Sequence, residues 1–157
     1  MRISFLLVFV FCFTTGQAQE YLSLDSFTGQ WEGTGELFGQ EAQYKMSWEE
    51  VLEGQYIKLT FSNEIISNGQ GIRAEAYYQS IGEHDVIGKW FDNRGYFVEI
   101  EGTLSENSLT NHWVNEHEQG KTIYTLTSPT TIYVEDFVWK SKEYVTFGKA
   151  QYSKLDE

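Results

Sequence analysis

Apolar and polar residues alternate along most of this chain with a period of two. In Tyr44-Lys45-Met46-Ser47-Trp48-Glu49 the apolar and aromatic side chains share one phase and the polar ones the other. Ile57, Leu59 and Phe61 against Lys58, Thr60 and Ser62 repeat the pattern, as do Tyr96, Val98 and Ile100 against Phe97, Glu99 and Glu101. Period two is the signature of a strand with one face on a core and one on water. Glycines punctuate these runs: Gly39, Gly54, Gly69, Gly71, Gly82, Gly95 and Gly120 recur at spacings of about a dozen residues, and Pro129 is the one proline. Glu53-Gly54, Asn68-Gly69 and Asn93-Arg94-Gly95 carry turn chemistry that tolerates positive φ.

The pattern predicts about ten strands, over residues 30–38, 42–52, 55–65, 72–80, 85–92, 96–103, 108–116, 121–128, 130–140 and 143–154. The one helical candidate, residues 21–27, is expected to make at most a turn. Every connection is short, so sequence neighbours should pair. An open sheet of that many strands would leave two edges unpaired, and closure removes them. The expected fold is all-β: a single up-and-down antiparallel barrel of about ten strands, filling one domain over residues 19–157.

The N-terminus follows a different rule. Met1-Arg2 is a short positive start, residues 3–13 are almost unbroken apolar, and Gly16 and Ala18 are small residues before Gln19. These three regions describe a secretory signal peptide over residues 1–18. Its apolar core is too short to span a bilayer, which takes roughly 20 residues. Cys12, the single cysteine, leaves with it, so the exported chain holds no disulfide. The bulky Phe9-Val10-Phe11 before Cys12 does not suit a lipid-anchored precursor. The expected location is periplasmic or extracellular, with no membrane span after cleavage. Formal net charge is −12 and becomes one unit more negative when Arg2 is removed. That balance repels nucleic acid and anionic lipid, so neither is expected as a partner.

The usual catalytic patterns are missing. There is no Gly-X-Ser-X-Gly elbow, no surviving cysteine nucleophile, no dinucleotide fingerprint around Gly33, Gly35 and Gly39, and no calcium loop. Of three histidines, His84 and His117 sit in turns and are expected to be solvated. His112 is mid-strand, in the phase opposite Asn111 and Trp113, with no second ligand at metal spacing. Glu99 and Glu101 share a face about 7 Å apart by strand geometry, but it is the face opposite the apolar one.

Gly29-Gln30-Trp31, opening the first strand, resembles the Gly-X-Trp mark of the calycin barrels, which include lipocalins and fatty-acid-binding proteins. Lys89-Trp90-Phe91-Asp92-Asn93, then Glu101-Gly102-Thr103-Leu104 and Leu109-Thr110, resemble a bacterial lipocalin-like family of unknown function. Phe147-Gly148-Lys149-Ala150-Gln151-Tyr152-Ser153-Lys154 is similar to that family's last strand. The resemblance implies that Lys154 lies over the Trp31 indole and seals one end of the barrel. It extends more distantly to heme barrels of the nitrobindin type, whose ligating histidine lies near the chain end. Gly148 to Lys154 contains no histidine, which disfavours heme without closing it off, and no other cofactor is expected.

The aromatic set carries what remains. Trp31, Trp48, Trp90 and Trp113 are expected to share one lumen, with Tyr44 and Tyr124 in register. A packed aromatic core and an apolar pocket with polar tips both fit that set. Arg73 is mid-strand: inward it would meet Glu75 or a ligand carboxylate, outward it is a surface charge. The lumen candidates are therefore Trp31, Tyr44, Trp48, Arg73, Trp90, Trp113 and Tyr124. The leading functional expectation is a carrier of a small hydrophobic or amphipathic ligand. The alternatives are a structural or interaction module of the cell envelope, and an enzyme with a polar site around Arg73, Glu75 or His112. Oligomeric state is left open.

Overall fold

The computed structural model describes residues 21–156, so the signal-peptide expectation lies outside the described residues. Ten antiparallel strands follow one short 3-10 turn, η1 (Leu24–Phe27). They are β1 (Gly29–Leu37), β2 (Gln40–Val51), β3 (Tyr56–Ile65), β4 (Arg73–Ser80), β5 (Asp85–Asp92), β6 (Phe97–Leu104), β7 (Ser108–Val114), β8 (Gln119–Ser128), β9 (Thr131–Lys140) and β10 (Glu143–Lys154). Each strand pairs with its sequence neighbour, and β1 pairs with β10 to close the barrel. Closure leaves no edge to template aggregation. The up-and-down barrel expected from the alternation is the observed fold. The ends differ from the expected strands by one or two residues, as at β7, which stops at Val114.

Burial follows the phases the alternation set, and it settles β4, whose inward face the alternation left open. Tyr44, Met46 and Trp48 are buried on β2, Ile57 and Leu59 on β3, and Ala74, Ala76 and Tyr78 on β4. Val134 and Val138 on β9, and Ala150 and Tyr152 on β10, complete the wall. Gly33 on β1 stands opposite Tyr152 and Tyr44. A Cβ there would lie 2.9 Å from the Tyr152 ring, so the glycine makes room for that ring.

The two barrel ends are built differently. At one end η1 folds across the opening. Phe27 is fully buried, 5.5 Å from the Trp48 ring centroid. The Trp31 Nε1–H donates to the Phe27 carbonyl at 2.8 Å, and the Leu22 N–H donates to the Ser105 carbonyl at 2.9 Å, tying the segment to the β6–β7 turn. Trp31 and Lys154 are direct cross-strand partners, and the Lys154 ammonium stands 5.4 Å from the indole centroid. The lysine-over-tryptophan seal implied by the calycin resemblance is thus present in the fold.

At the other end the hairpins Phe38-Gly39 and Ser141-Lys142 leave the opening uncovered. Both are two-residue turns with both residues at positive φ. The β3–β4 connection is longer than the Asn68-Gly69 signal suggests. Ile65 accepts from the N–H groups of Asn68 and Gly69 and donates to the Gln70 carbonyl, so a four-residue turn, 66–69, sits inside the seven-residue connection 66–72, and only Gly69 in it takes positive φ.

Candidate functional site

A cavity of about 450 Å³ opens between the rim hairpins and runs down the lumen. Its walls are apolar and aromatic: Phe61 from β3, Trp90 from β5, Val98 and Ile100 from β6, Trp113 from β7, and Phe147 from β10. Phe61 and Trp90 stand 5.4 Å apart, and Trp113 meets Phe147 edge-on at 6.4 Å. Phe147 faces inward because the register of β10 on β9 shifts between Thr146 and Gly148. A bulge of this kind turns a side chain that the regular alternation would place elsewhere. Above it, Phe38 stacks on Phe147 at 5.5 Å and is itself 66% exposed.

A polar band crosses these walls. Asn111, Thr122 and Asp136 are consecutive cross-strand partners on β7, β8 and β9. The Thr122 hydroxyl donates to Asp136 Oδ1 at 2.7 Å. The Asn111 amide donates to the Tyr78 hydroxyl oxygen at 3.1 Å, and Tyr124 approaches that same hydroxyl. Asp136 lies deep below the rim yet keeps part of its side chain open to the cavity. Burial raises its pKa to about 6, against a smaller lowering by the Thr122 hydrogen bond. Burial likewise pushes the phenols of Tyr44, Tyr78, Tyr124 and Tyr152 well above their ordinary value, so they remain neutral.

A second carboxylate shows what the fold does for a charge it intends to neutralise. The Asp92 side chain, 1% exposed, accepts from Arg94 Nη2 at 2.6 Å, from Arg94 Nε at 3.2 Å and from the Arg94 backbone N–H at 2.8 Å. Burial alone would raise the Asp92 pKa; the Arg94 contacts outweigh it and hold the group below its usual value. No lysine or arginine among the described residues forms an ion pair with Asp136.

The expected lumen residues separate into three groups. Trp90, Trp113 and Tyr124 line the cavity. Trp31, Tyr44 and Trp48 point inward but are packed solid, each at most 3% exposed, below the cavity or beside it. Arg73 is corrected outright: it faces solvent, because Ala74 and Ala76 occupy the inward phase of β4. The enzyme expectation loses its site for the same reason. Glu75 is exposed and bound to Lys58 at 3.0 Å, and His112 is exposed on the outer face of β7. His84 also departs from expectation. It is half-buried and stacked on Tyr21 at 3.9 Å rather than solvated. None of the three histidines lines the cavity.

The sequence reading missed Phe61, Asn111, Thr122, Asp136 and Phe147. Four carried a signal: Phe61 shares the apolar phase of Ile57 and Leu59, and Thr122 stands between Gly120 and Tyr124 in the inward phase of β8. Asp136 stands in phase with Ile132, Val134 and Val138, and Asn111 in phase with Leu109 and Trp113, so each is a polar residue in an apolar phase. Phe147 carried none, because its orientation depends on the bulge.

No family model matches the chain, and no curated protein matches it. Among solved structures, the S-type phycobiliprotein lyase CPES from Guillardia theta is similar, with a TM-score of 0.60 over 85% of this chain and 90% of that one, at 10% identity. A redesigned beta barrel aligns with a TM-score of 0.48 over 85% of this chain and 95% of that one, at 14% identity. At 10% identity the likeness to the lyase shows a shared calycin-like barrel and nothing about chemistry.

Proposed function

We propose that this chain is an exported calycin-like barrel that binds a small hydrophobic or amphipathic molecule in its lumen, entering through the rim formed by the Phe38-Gly39 and Ser141-Lys142 hairpins. The observation that carries the reading is the 450 Å³ cavity walled by Phe61, Trp90, Trp113 and Phe147. A volume in the range of roughly 300–1,000 Å³, mostly apolar with a few convergent polar groups, is the usual form of a small-molecule site. The similarity to a phycobiliprotein lyase supports the reading only as far as fold analogy reaches. Export rests on the three-region leader ending at Ala18. Heme is no part of the proposal, since no histidine lines the cavity. The acidic charge argues against a nucleic-acid partner. Titrating the purified barrel with a panel of alkyl and aromatic ligands, while following tryptophan emission, tests the binding. Trp90 and Trp113 should report occupancy, and a Trp90→Phe, Trp113→Phe double variant should lose most of the response. A silent panel would end the proposal. Fractionation of cells and N-terminal sequencing of the mature chain test export, with Gln19 as the expected first residue.

A second reading has its own observation. Phe91, Phe97 and Val114 are exposed together on the outside of β5, β6 and β7, with Ile87 further along. An apolar outer patch of this kind suits a protein contact, as the envelope-module alternative requires. Capture of a partner that is lost on Phe97→Lys would favour it.

A further inference from the structure

Resting on the lumen reading, we infer that the ligand of this barrel is a cationic amphiphile: an apolar body bearing one protonated nitrogen, which the Asp136 carboxylate receives in the cavity. The surroundings of Asp136 lead there. Its Oδ1 accepts from Thr122, while Oδ2 lies beside Gly148, where even a Cβ would come within 3.0 Å. Every other titratable group around it is a phenol: Tyr44 from β2, Tyr78 from β4, Tyr124 from β8 and Tyr152 from β10. The charges of the cavity mouth are Arg94, Glu118 and Lys140, and Arg94 is already engaged by Asp92. A carboxylate held in a low-dielectric pocket without a cation is costly, and a cation brought to it recovers a large Coulomb term.

The rest of the cavity is suited to the same chemistry. Trp113 and Phe147 stand beside the β9–β10 wall from which Asp136 projects, and Phe61 with Trp90 forms the opposite aromatic pair. Aromatic faces attract an ammonium and equally accept an alkyl or aryl body. The net charge of −12 draws cations toward the molecule and repels fatty acids and other anionic amphiphiles. The raised pKa of Asp136 adds a consequence: protonation near pH 6 removes the charge that holds the cation, so acidification releases the ligand.

The test uses three probes of one length, decylamine, decanol and decanoate, titrated into the mature protein and read by tryptophan emission. At about pH 7.5 decylamine should bind about thirtyfold more tightly than decanol, the scale expected when a buried charge pair is completed. Asp136→Asn should remove that preference by weakening decylamine far more than decanol. In the wild-type protein the preference should also fade as pH drops through 6, while decanol binding stays level. This second measurement decides the matter even if Asp136→Asn does not fold. Binding of decanol or decanoate with no preference for the amine, or a preference that survives both Asp136→Asn and low pH, overturns the cation assignment and leaves the lumen reading standing. Silence from all three probes removes the lumen reading and this inference together.

Discussion

Trp48 and Trp113 occupy the same phase of their strands, yet one is structure and the other is wall. Trp48, 1% exposed, stacks on Tyr78 at 5.2 Å, meets Tyr124 edge-on at 5.4 Å and is capped by Phe27. Trp113 is half-buried, touches Phe147 and looks into the cavity. The difference lies in what covers each end. The η1 turn supplies an apolar lid tied down by hydrogen bonds at one end, whereas at the other no helical turn among the described residues crosses the opening between the Phe38-Gly39 and Ser141-Lys142 hairpins. A tryptophan's strand phase therefore sets only whether it points at the axis. The segment closing that end of the axis sets whether it packs or binds.

The two tryptophans should differ most in what they contribute to stability. Trp48→Ala should cost about 3–5 kcal/mol, the range for a large aromatic removed from a filled core. Trp113→Ala should cost less than about 2 kcal/mol, because its inner face is not packed. Urea denaturation of the two variants decides it. Equal losses would mean that the open end is as much a core as the closed one.

The two ends also treat charge differently, and Asp136 is where this can be measured. Its pKa in the fold, about 6, is above the ordinary aspartate value of 3.8. Between those values the folded chain holds a proton the unfolded chain has lost. Stability therefore falls as pH rises from about 4 to about 6 and stays lower above that. Asp136→Asn keeps the Thr122 hydrogen bond and removes the charge. It should stabilise the ligand-free protein by about 2–3 kcal/mol near pH 8 and by almost nothing near pH 4. Thermal melts at the two pH values are sufficient. A variant destabilised near pH 8 would mean that the carboxylate serves the fold rather than a ligand.

These contrasts also show what could be read from residue order. Alternation with regular glycine turns is a local signal, repeated over ten strands, and it places almost every strand phase correctly. The Trp31–Lys154 contact was reached through resemblance, since its partners lie at opposite ends of the chain. The cavity was less legible because it depends on long-range facts: the coverage given by η1, the bulge that turns Phe147 inward, and the phase of β4. Ala74, Ala76 and Tyr78 could have settled that phase, since Ile72, Ala74, Ala76 and Tyr78 alternate against Arg73, Glu75 and Tyr77. Asp136 was visible as a carboxylate among valines, but a single acid in a strand has no spacing motif to mark it.

At the closed end, Lys154 over Trp31 should contribute modestly. Lys154→Met keeps an apolar stem and removes the ammonium, so a loss of about 0.5–1 kcal/mol is expected. The ammonium adjoins no carboxylate in an ion pair among the described residues, so the loss should change little with added salt. A loss that disappears in high salt would point to surface electrostatics rather than the indole.

The smallest expected effect is at the rim, and it separates the two ends by sign. Phe38 takes φ of +50° at the first position of its turn, where Asn, Asp or Gly is at ease and a bulky side chain is strained by about 1 kcal/mol. Its ring is mostly in solvent, so stacking on Phe147 recovers only part of that strain. Phe38→Asn should therefore leave the ligand-free barrel unchanged or raise its stability by up to about 1 kcal/mol in urea titrations. It should also weaken decanol binding, because Phe38 lines the cavity mouth. Aromatic removal would then stabilise one end and ruin the other, the pattern of a rim retained for its ligand and a base retained for the fold. If Phe38→Asn instead loses more than about 1 kcal/mol with decanol affinity intact, the Phe38–Phe147 stack is a structural clasp, and the open end must be counted as part of the core.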